Sequence, residues 1–216
     1  MLGTPEKRLA LQAYEQILDL VLSGRAAPGE VINERRLAEA LDMSRTPVRD
    51  ALLMLEGEGL LIRQGRALQV KQMRIEDFMD ALQIRQLLEP AVAAIAAGRV
   101  DKADTRRLAK QLDDILARSG PEPADRALVR EVDEGLHGLL ADASGNPQLS
   151  AIIRTLRRQT QMFDLRSMPE RLTATCAEHH AIIAAVEAGD GKAAEGAMRA
   201  HLDAVRDSII KRLTHR

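Results

Sequence analysis

Residues 33–70 read NERRLAEALDMSRTPVRDALLMLEGEGLLIRQGRALQV, and this stretch decides the fold of the N-terminal third of the chain. Asn33 can cap a helix whose apolar positions Leu37, Ala38 and Leu41 share one face. After an Asp42-Met43 turn, Ser44 can cap a second helix, with Pro47 in the first turn where a missing N–H costs nothing. That second helix buries Val48, Ala51, Leu52 and Leu55 at helical spacing and leaves Arg45 and Arg49 one turn apart on the outward side. Downstream, Leu60–Ile62 and Leu68–Val70 predict two short strands joined through Gln64-Gly65-Arg66, a hairpin with glycine at its turn. Two helices, a tight turn and a hairpin in this order outline a winged helix-turn-helix.

The chemistry of the outward residues suits DNA. A recognition helix presents its N-terminal side chains to the major groove, where arginine grips guanine O6 and N7 with two hydrogen bonds. Arg45 and Arg49 have that chemistry and placement, Ser44 and Thr46 add short hydroxyl donors, and the helix's own first N–H groups can hold a phosphate. Arg35 and Arg36 open the preceding helix and can take a flanking phosphate, and Arg66 at the hairpin tip can enter a minor groove. Net charge does not decide the matter, since residues 1–71 hold ten Lys/Arg against ten Asp/Glu. Distribution does: Arg63, Arg66, Lys71 and Arg74 follow one another without an acid, while Glu15, Asp19, Glu30, Glu56 and Glu58 are expected away from the contact surface.

The run LAEALDMSRTPVRDALLMLEGEGLL resembles the DNA-binding domain of GntR-family bacterial transcription regulators. The resemblance implies that Arg35, Ser44, Arg45, Thr46 and Arg49 contact operator DNA and that Gly65 is the wing-tip glycine. Ala67 stands where many such wings have a second glycine, and the hairpin is one residue shorter.

Length and composition bound the rest. A chain of 216 residues with 45% apolar content can hold a small and a larger domain, here expected as residues 1–74 and 75–216. With no Trp, one Tyr and two Phe, the chain lacks the aromatic platform used on single-stranded nucleic acid and is rich in helix formers. A single Cys excludes an internal disulfide framework, and no N-terminal apolar run serves as signal or span, so a cytoplasmic protein with no membrane contact is expected. A first helix is predicted from Pro5, after a Thr4 cap, to Ser23. Beyond the wing, six helices are predicted, over 76–98, 101–119, 124–143, 147–167, 169–188 and 190–213, separated by Gly- and Pro-rich breaks.

Three of these helices place ionisable residues where periodicity calls for apolar ones. The stripe Leu172, Cys176, His179, Ile183, Val186 holds one His, as does Ala194, Met198, His201, Val205, Ile209. Asp133 and His137 lie one turn apart beside Val129, Leu136 and Leu140. One Asp and three His from three helices can converge on a divalent ion and leave coordination positions open. Taken singly, each has a plainer reading: a hydrogen-bonded core histidine, an i,i+4 pair, and for Cys176 a small core filler, with His180 on the surface. Arg85 and Glu89 also fall on an apolar stripe, Phe78, Leu82, Arg85, Glu89, Val92, Ala96. Either they form a buried pair, or Arg85 faces a pocket and binds a carboxylate with its planar fork.

The segments DEGLH at 133–137, SGNPQL after it, EHHAIIAAVEAGD from Glu178 and MRAHL ending at Leu202 resemble the FCD effector-binding domain of the FadR-like GntR branch, and six helices resemble its VanR-type subgroup. That resemblance implies a metal held by Asp133, His137, His179 and His201, with zinc foremost and nickel or manganese as alternatives; Leu136 replaces a usual Phe. The expectation is a mainly α, ligand-responsive regulator, a repressor foremost, that binds double-stranded operator DNA as a homodimer and takes a small organic acid at Arg85. The rival class is a helical metalloenzyme, a hydrolase using the Asp/His site, but it lacks an obvious general base and has no use for a winged helix. A regulator whose metal is purely structural is the third.

Overall fold

A computed structural model describes residues 5–118, 126–163 and 171–214. Among them are nine helices and one two-stranded sheet, so the chain is mainly α as expected: α1 (Pro5–Leu22), α2 (Glu34–Ala40), α3 (Arg45–Gly57), β1 (Leu61–Gln64), β2 (Ala67–Val70), α4 (Ile75–Ala96), α5 (Lys102–Arg118), α6 (Arg126–Ala143), α7 (Pro147–Met162), α8 (Leu172–Glu187) and α9 (Gly191–Thr214). The predicted Thr4 cap and the predicted helical residues 119, 124–125, 164–167 and 169–170 lie outside the described residues. Two compact units emerge, one of Met1–Ile75 with Gln161–Phe163, the other of Glu76–Thr160 with Asp164–Arg216.

In the first unit α1 packs along α3, and Ala13, Tyr14, Ile17 and Val21 meet Val48, Ala51, Leu52 and Leu55 in one core closed by Leu60, Leu61 and Val70. Asn33 caps α2 by accepting from the Arg36 amide at 3.0 Å. Ser44 takes the N-cap position of α3 with extended backbone, yet its hydroxyl makes no capping bond and stays exposed on the outward side. The turn between α2 and α3 is tight enough to hold Asp42 at a φ of 51°, a left-handed conformation Asp tolerates because its side chain is short and polar.

The hairpin is longer and its turn shorter than the apolar runs predict. Pairing continues through Arg63↔Leu68 and Gln64↔Ala67, and the loop shrinks to Gly65-Arg66 with Gly65 at φ 61°. Apolar content marks only the base of the hairpin, because its tip is solvated and hydrogen-bonded through the backbone alone. On the other edge of β2, the Ile32 amide donates to the Leu68 carbonyl at 2.8 Å and Gly29 to Val70 at 2.9 Å, so residues 29–32 act as a third, short wing strand.

The second unit has six helices among its described residues, with α8 along α9 and α5 against α6 and α8. Its core draws on Phe78 and Leu82 of α4, Leu108 and Leu112 of α5, Leu136 and Leu140 of α6, Ile153 of α7, Ile182 and Ile183 of α8, and Met198 and Leu202 of α9. α4 runs past the buried Pro90, which removes one helical N–H donor, and ends two residues before Gly98. No helix among the described residues is long and apolar enough to cross a membrane.

Candidate metal centre and nucleic-acid interface

The helical period that predicts inward ionisable residues also brings them together. Asp133 and His137 project from α6, His179 from α8 and His201 from α9, each offering one ligand atom within 4.8 Å of the others. The imidazole centroids of His179 and His201 are 4.7 Å apart, and that of His137 lies 5.5 and 5.3 Å from them. All three rings are buried, while the Asp133 side chain is 28% exposed.

Three of the four arms, those of His137, His201 and Asp133, are held from behind. His137 Nδ1 is hydrogen-bonded to Glu89 Oε2, and Glu89 accepts from Arg85 Nε at 2.5 Å, with Arg85 Nη1 donating on to Thr160 Oγ1 at 2.9 Å. His201 Nδ1 pairs with Glu178 Oε2 at 2.8 Å, and Glu178 receives both Arg171 bonds, at 2.7 and 3.0 Å, while Arg171 also donates to the Ala204 carbonyl and Ser208 Oγ. A carboxylate that fixes one ring nitrogen aims the other at the ligand site. Asp133 Oδ2 accepts from Arg157 at 2.6 Å, so its Oδ1 is left to face the imidazoles, 3.5 Å from His179 Nε2 and 3.8 Å from His137 Nε2.

Electrostatics agree with a cation site. Burial, helped by Arg157, lowers His137 to about 4, and burial likewise holds His179 well below its ordinary value, so both rings are neutral at pH 7. Burial pushes the carboxyls of Glu89 and Asp133 upward, but Arg85 for Glu89 and Arg157 for Asp133, together with the imidazoles, outweigh it and keep both ionised. His137 Nε2 and His179 Nε2 are buried with no hydrogen-bond partner, a costly arrangement for a polar atom. A divalent ion resolves it: one carboxylate oxygen and neutral imidazole nitrogens form an O/N donor set suited to zinc and its neighbours. The residues therefore fit a metal.

Arg85 is the buried pair partner of Glu89. The residue that sequence reasoning missed is Arg157 of α7, 1% exposed, which binds Asp133 and Glu134 and points Nη1 into the interior without a hydrogen-bond partner, 3.9 Å from Glu89. Its stretch reads TLRRQT, a polar helix face with nothing to separate the buried arginine from its exposed neighbours. His180 is half-buried and pairs with Asp113 at 3.1 Å.

In the first unit Arg45 and Arg49 stand exposed on the outward face of α3, with Ser44 and Thr46 exposed beside them and Gly65 and Arg66 exposed at the wing tip. They are not surrounded by open solvent. Glu34, the first residue of α2, accepts from Arg45 Nε at 2.9 Å and from Arg49 Nε and Nη2 at 3.1 and 3.0 Å. Those bonds, Arg49's foremost, hold the Glu34 carboxyl below its ordinary range. Glu34 is not one of the acids expected away from this surface, and it stands on it because a helix N-terminus favours an acid and the turn folds it back onto α3. Arg35 bonds Glu39 at 2.7 Å, and Arg63 is drawn to Glu56 at 2.8 and 3.0 Å.

Comparison with known proteins matches this division. Residues 9–70 match the model of the bacterial regulatory proteins of the gntR family, and residues 80–204 match that of the FCD domain. The chain is 34% identical over 217 residues to the HTH-type transcriptional regulator LutR of Bacillus subtilis, covering 88% of this chain and 96% of that one. It is 31% identical over 239 residues to the Uxu operon transcriptional regulator of Escherichia coli, covering 97% and 90%. It is also 28% identical over 211 residues to the HTH-type transcriptional repressor RspR of E. coli, covering 95% and 90%. Among solved structures, E. coli McbR/YncC superposes with a TM-score of 0.81 at 22% identity over 99% of this chain and 100% of that one, a likeness of fold.

Proposed function

This chain belongs to the gntR family of bacterial regulatory proteins, with an FCD domain as its C-terminal unit, and we propose that a metal-linked organic acid in that domain controls how its winged helices hold an operator. It is a DNA-binding transcription regulator, and its relatives are regulators, not enzymes. Finer assignments rest on the site. Asp133, His137, His179 and His201 hold a divalent cation, zinc foremost, and the observation that carries this is the pair of buried, partnerless Nε2 atoms facing Asp133 Oδ1.

When bound, the cation supplies open positions for an oxygen ligand. The chain supplies the rest: Arg157 Nη1 can donate to a carboxylate, and Arg85 acts with it by neutralising and orienting Glu89. A carboxylate is favoured because Arg157 Nη1 is buried beside the cluster with no hydrogen-bond partner of its own. On the DNA side, Arg45 and Arg49 read bases, Ser44, Thr46 and Arg35 fix the backbone, and Gly65 lets Arg66 approach a groove. The protein acts in the cytoplasm as a homodimer on a short inverted repeat, since two identical recognition helices impose a two-fold axis on the site. RspR, a relative, is a transcriptional repressor, which makes repression the favoured outcome, and the six described FCD helices fit the VanR-type subgroup.

Elemental analysis of the purified chain beside His179→Ala tests the centre directly. About one divalent ion per chain, lost in the variant while operator binding persists, is the expected result. Equal metal content in both overturns the assignment.

A further inference from the structure

Beyond the apolar core, an ion pair ties the wing to the recognition helix. Leu61 pairs with Val70 and Arg63 with Leu68 across the hairpin, and alternation along a strand puts these side chains on one face. Leu61 and Val70 are buried and Leu68 packs against the core they share with α3, so this face is turned toward that helix. Arg63 continues the face past the buried end of β1 and meets Glu56 in the last turn of α3. Its Nε donates to Oε1 at 3.0 Å and its Nη2 to Oε2 at 2.8 Å, a parallel two-bond fork that holds the Glu56 carboxyl below its ordinary range. The sequence groups Arg63 with Arg66, Lys71 and Arg74 in one acid-free run, but the structure turns Arg63 onto the protein and leaves Arg66 exposed at the tip.

We propose that Glu56 and Arg63 are a positioning pair: their fork sets the angle of the wing to α3, so that Arg66 reaches its groove while Arg45 and Arg49 occupy theirs. A hairpin of two four-residue strands is marginal on its own. Among the described residues, backbone pairing from residues 29–32 supports the far edge of β2 and reaches no nearer the tip than Leu68. Arg63 stands two residues before the Gly65-Arg66 turn, where a tie has most leverage on the tip. An exposed pair with a single bond would do little there, but a planar guanidinium gripped at two points resists rotation. If Arg63 instead left Glu56 for a DNA phosphate, the acid would act as a competitor, and its removal would strengthen binding. The two roles therefore predict opposite effects of Glu56→Gln. The inference rests on the reading that Arg66 approaches a groove, and it names what aims that side chain.

The test is competition binding of the full chain to a duplex it selects from a random pool, with a hydroxyl-radical footprint of the minor groove. Glu56→Gln and Arg63→Gln are each expected to weaken binding about 3- to 10-fold and to lose protection under the wing, with base preference under Arg45 and Arg49 and helical circular dichroism unchanged. Arg63→Lys keeps the charge but not the fork, and is expected to lose protection as well. Exchanging the charges, Glu56→Arg with Arg63→Glu, restores protection. Tighter binding by Glu56→Gln, with a salt dependence flattened by about one counterion in Arg63→Gln, makes Arg63 a phosphate contact and overturns the proposal. Unchanged affinity and footprint in both single variants also overturns it. Arg66→Ala separates the two readings: protection lost there but kept in the fork variants refutes the positioning pair alone, and protection kept in Arg66→Ala refutes the wing reading with it. Should a single variant fail to fold, the exchanged pair decides, since recovered protection supports the pairing and its absence refutes it.

Discussion

Arg49 of α3 lies fork to fork on the carboxylate of Glu34 in α2, its Nε and Nη2 donating at 3.1 and 3.0 Å across the helix-turn-helix. The same carboxylate takes Arg45, so one acid presets both candidate base readers. It also places a negative charge beside the DNA surface, which weakens sequence-independent attraction. Glu34→Gln is therefore expected to strengthen binding to random DNA and to cut the ratio of operator to random affinity about tenfold. Competition titrations at two salt concentrations measure both, and an unchanged ratio removes Glu34 from recognition.

Substituting the readers themselves gives a different pattern. Arg45→Ala or Arg49→Ala should lower operator affinity roughly 10- to 100-fold and relax base preference at one position per half-site. Arg35→Ala, whose partner Glu39 lies on its own helix, should weaken all sequences alike and flatten the salt dependence by about one counterion. Binding to a library of single-base operator variants separates the two. Uniform losses from Arg45→Ala and Arg49→Ala would demote them to phosphate contacts.

How much of this was legible beforehand follows from the range of the interactions. Helical spacing sufficed to place His137, His179 and His201 on inward stripes, because the period of a helix is local. It could not show Glu89 behind His137 or Glu178 behind His201, since those contacts join different helices. Arg157 was illegible for a second reason: burying a guanidinium depends on Asp133, Glu134 and Glu89 arriving from α6 and α4, and nothing in the α7 sequence announces them. Glu34 was visible as a residue, but its reach to α3 required the Asp42 turn geometry.

Glu178 offers a test of the supports. Glu178→Gln keeps the shape while weakening the acceptor that fixes His201 Nδ1, so metal affinity should fall about 10- to 100-fold with helix content unchanged. A chelator competition assay reads the affinity. No change would make the Arg171–Glu178 pair a purely structural link between α8 and α9.

The ligands and the effector should part company with DNA binding. His179→Ala with His201→Ala is expected to abolish metal binding and effector response while leaving operator affinity within a few-fold, because the recognition residues occupy the other compact unit. Arg157→Met should weaken metal binding, because it frees the Asp133 carboxylate, and should abolish the response to an organic acid even at saturating metal, since it removes the donor without emptying the volume. Gel-shift titrations with and without a carboxylate effector distinguish these. A double-histidine variant that still releases DNA normally would take the metal out of the switch.

Stability of the metal-free chain should depend on pH in a definite direction. His137 is depressed to about 4 and His179 is also well below its ordinary value, both because burial disfavours the charged ring. The unfolded chain takes up these protons near an ordinary histidine value of about 6.5, whereas the native chain refuses them until lower pH. Protons bound by the unfolded state alone shift the balance toward it, so the histidine contribution is intact above about 6.5 and is lost as pH falls toward 4. Glu89 and Asp133, held ionised by Arg85 and Arg157, add a further loss once the unfolded carboxyls protonate below about 4.3. Urea titrations of the metal-free chain at pH 7.5, 6, 5 and 4 should give a falling midpoint. For His137→Gln with His179→Gln, the decline between about 6.5 and 4.5 should largely disappear while the steeper fall below it remains. A native midpoint that is flat from pH 7 to 5 would mean that these rings accept protons inside the folded site, and a buried, neutral imidazole pair would no longer describe it.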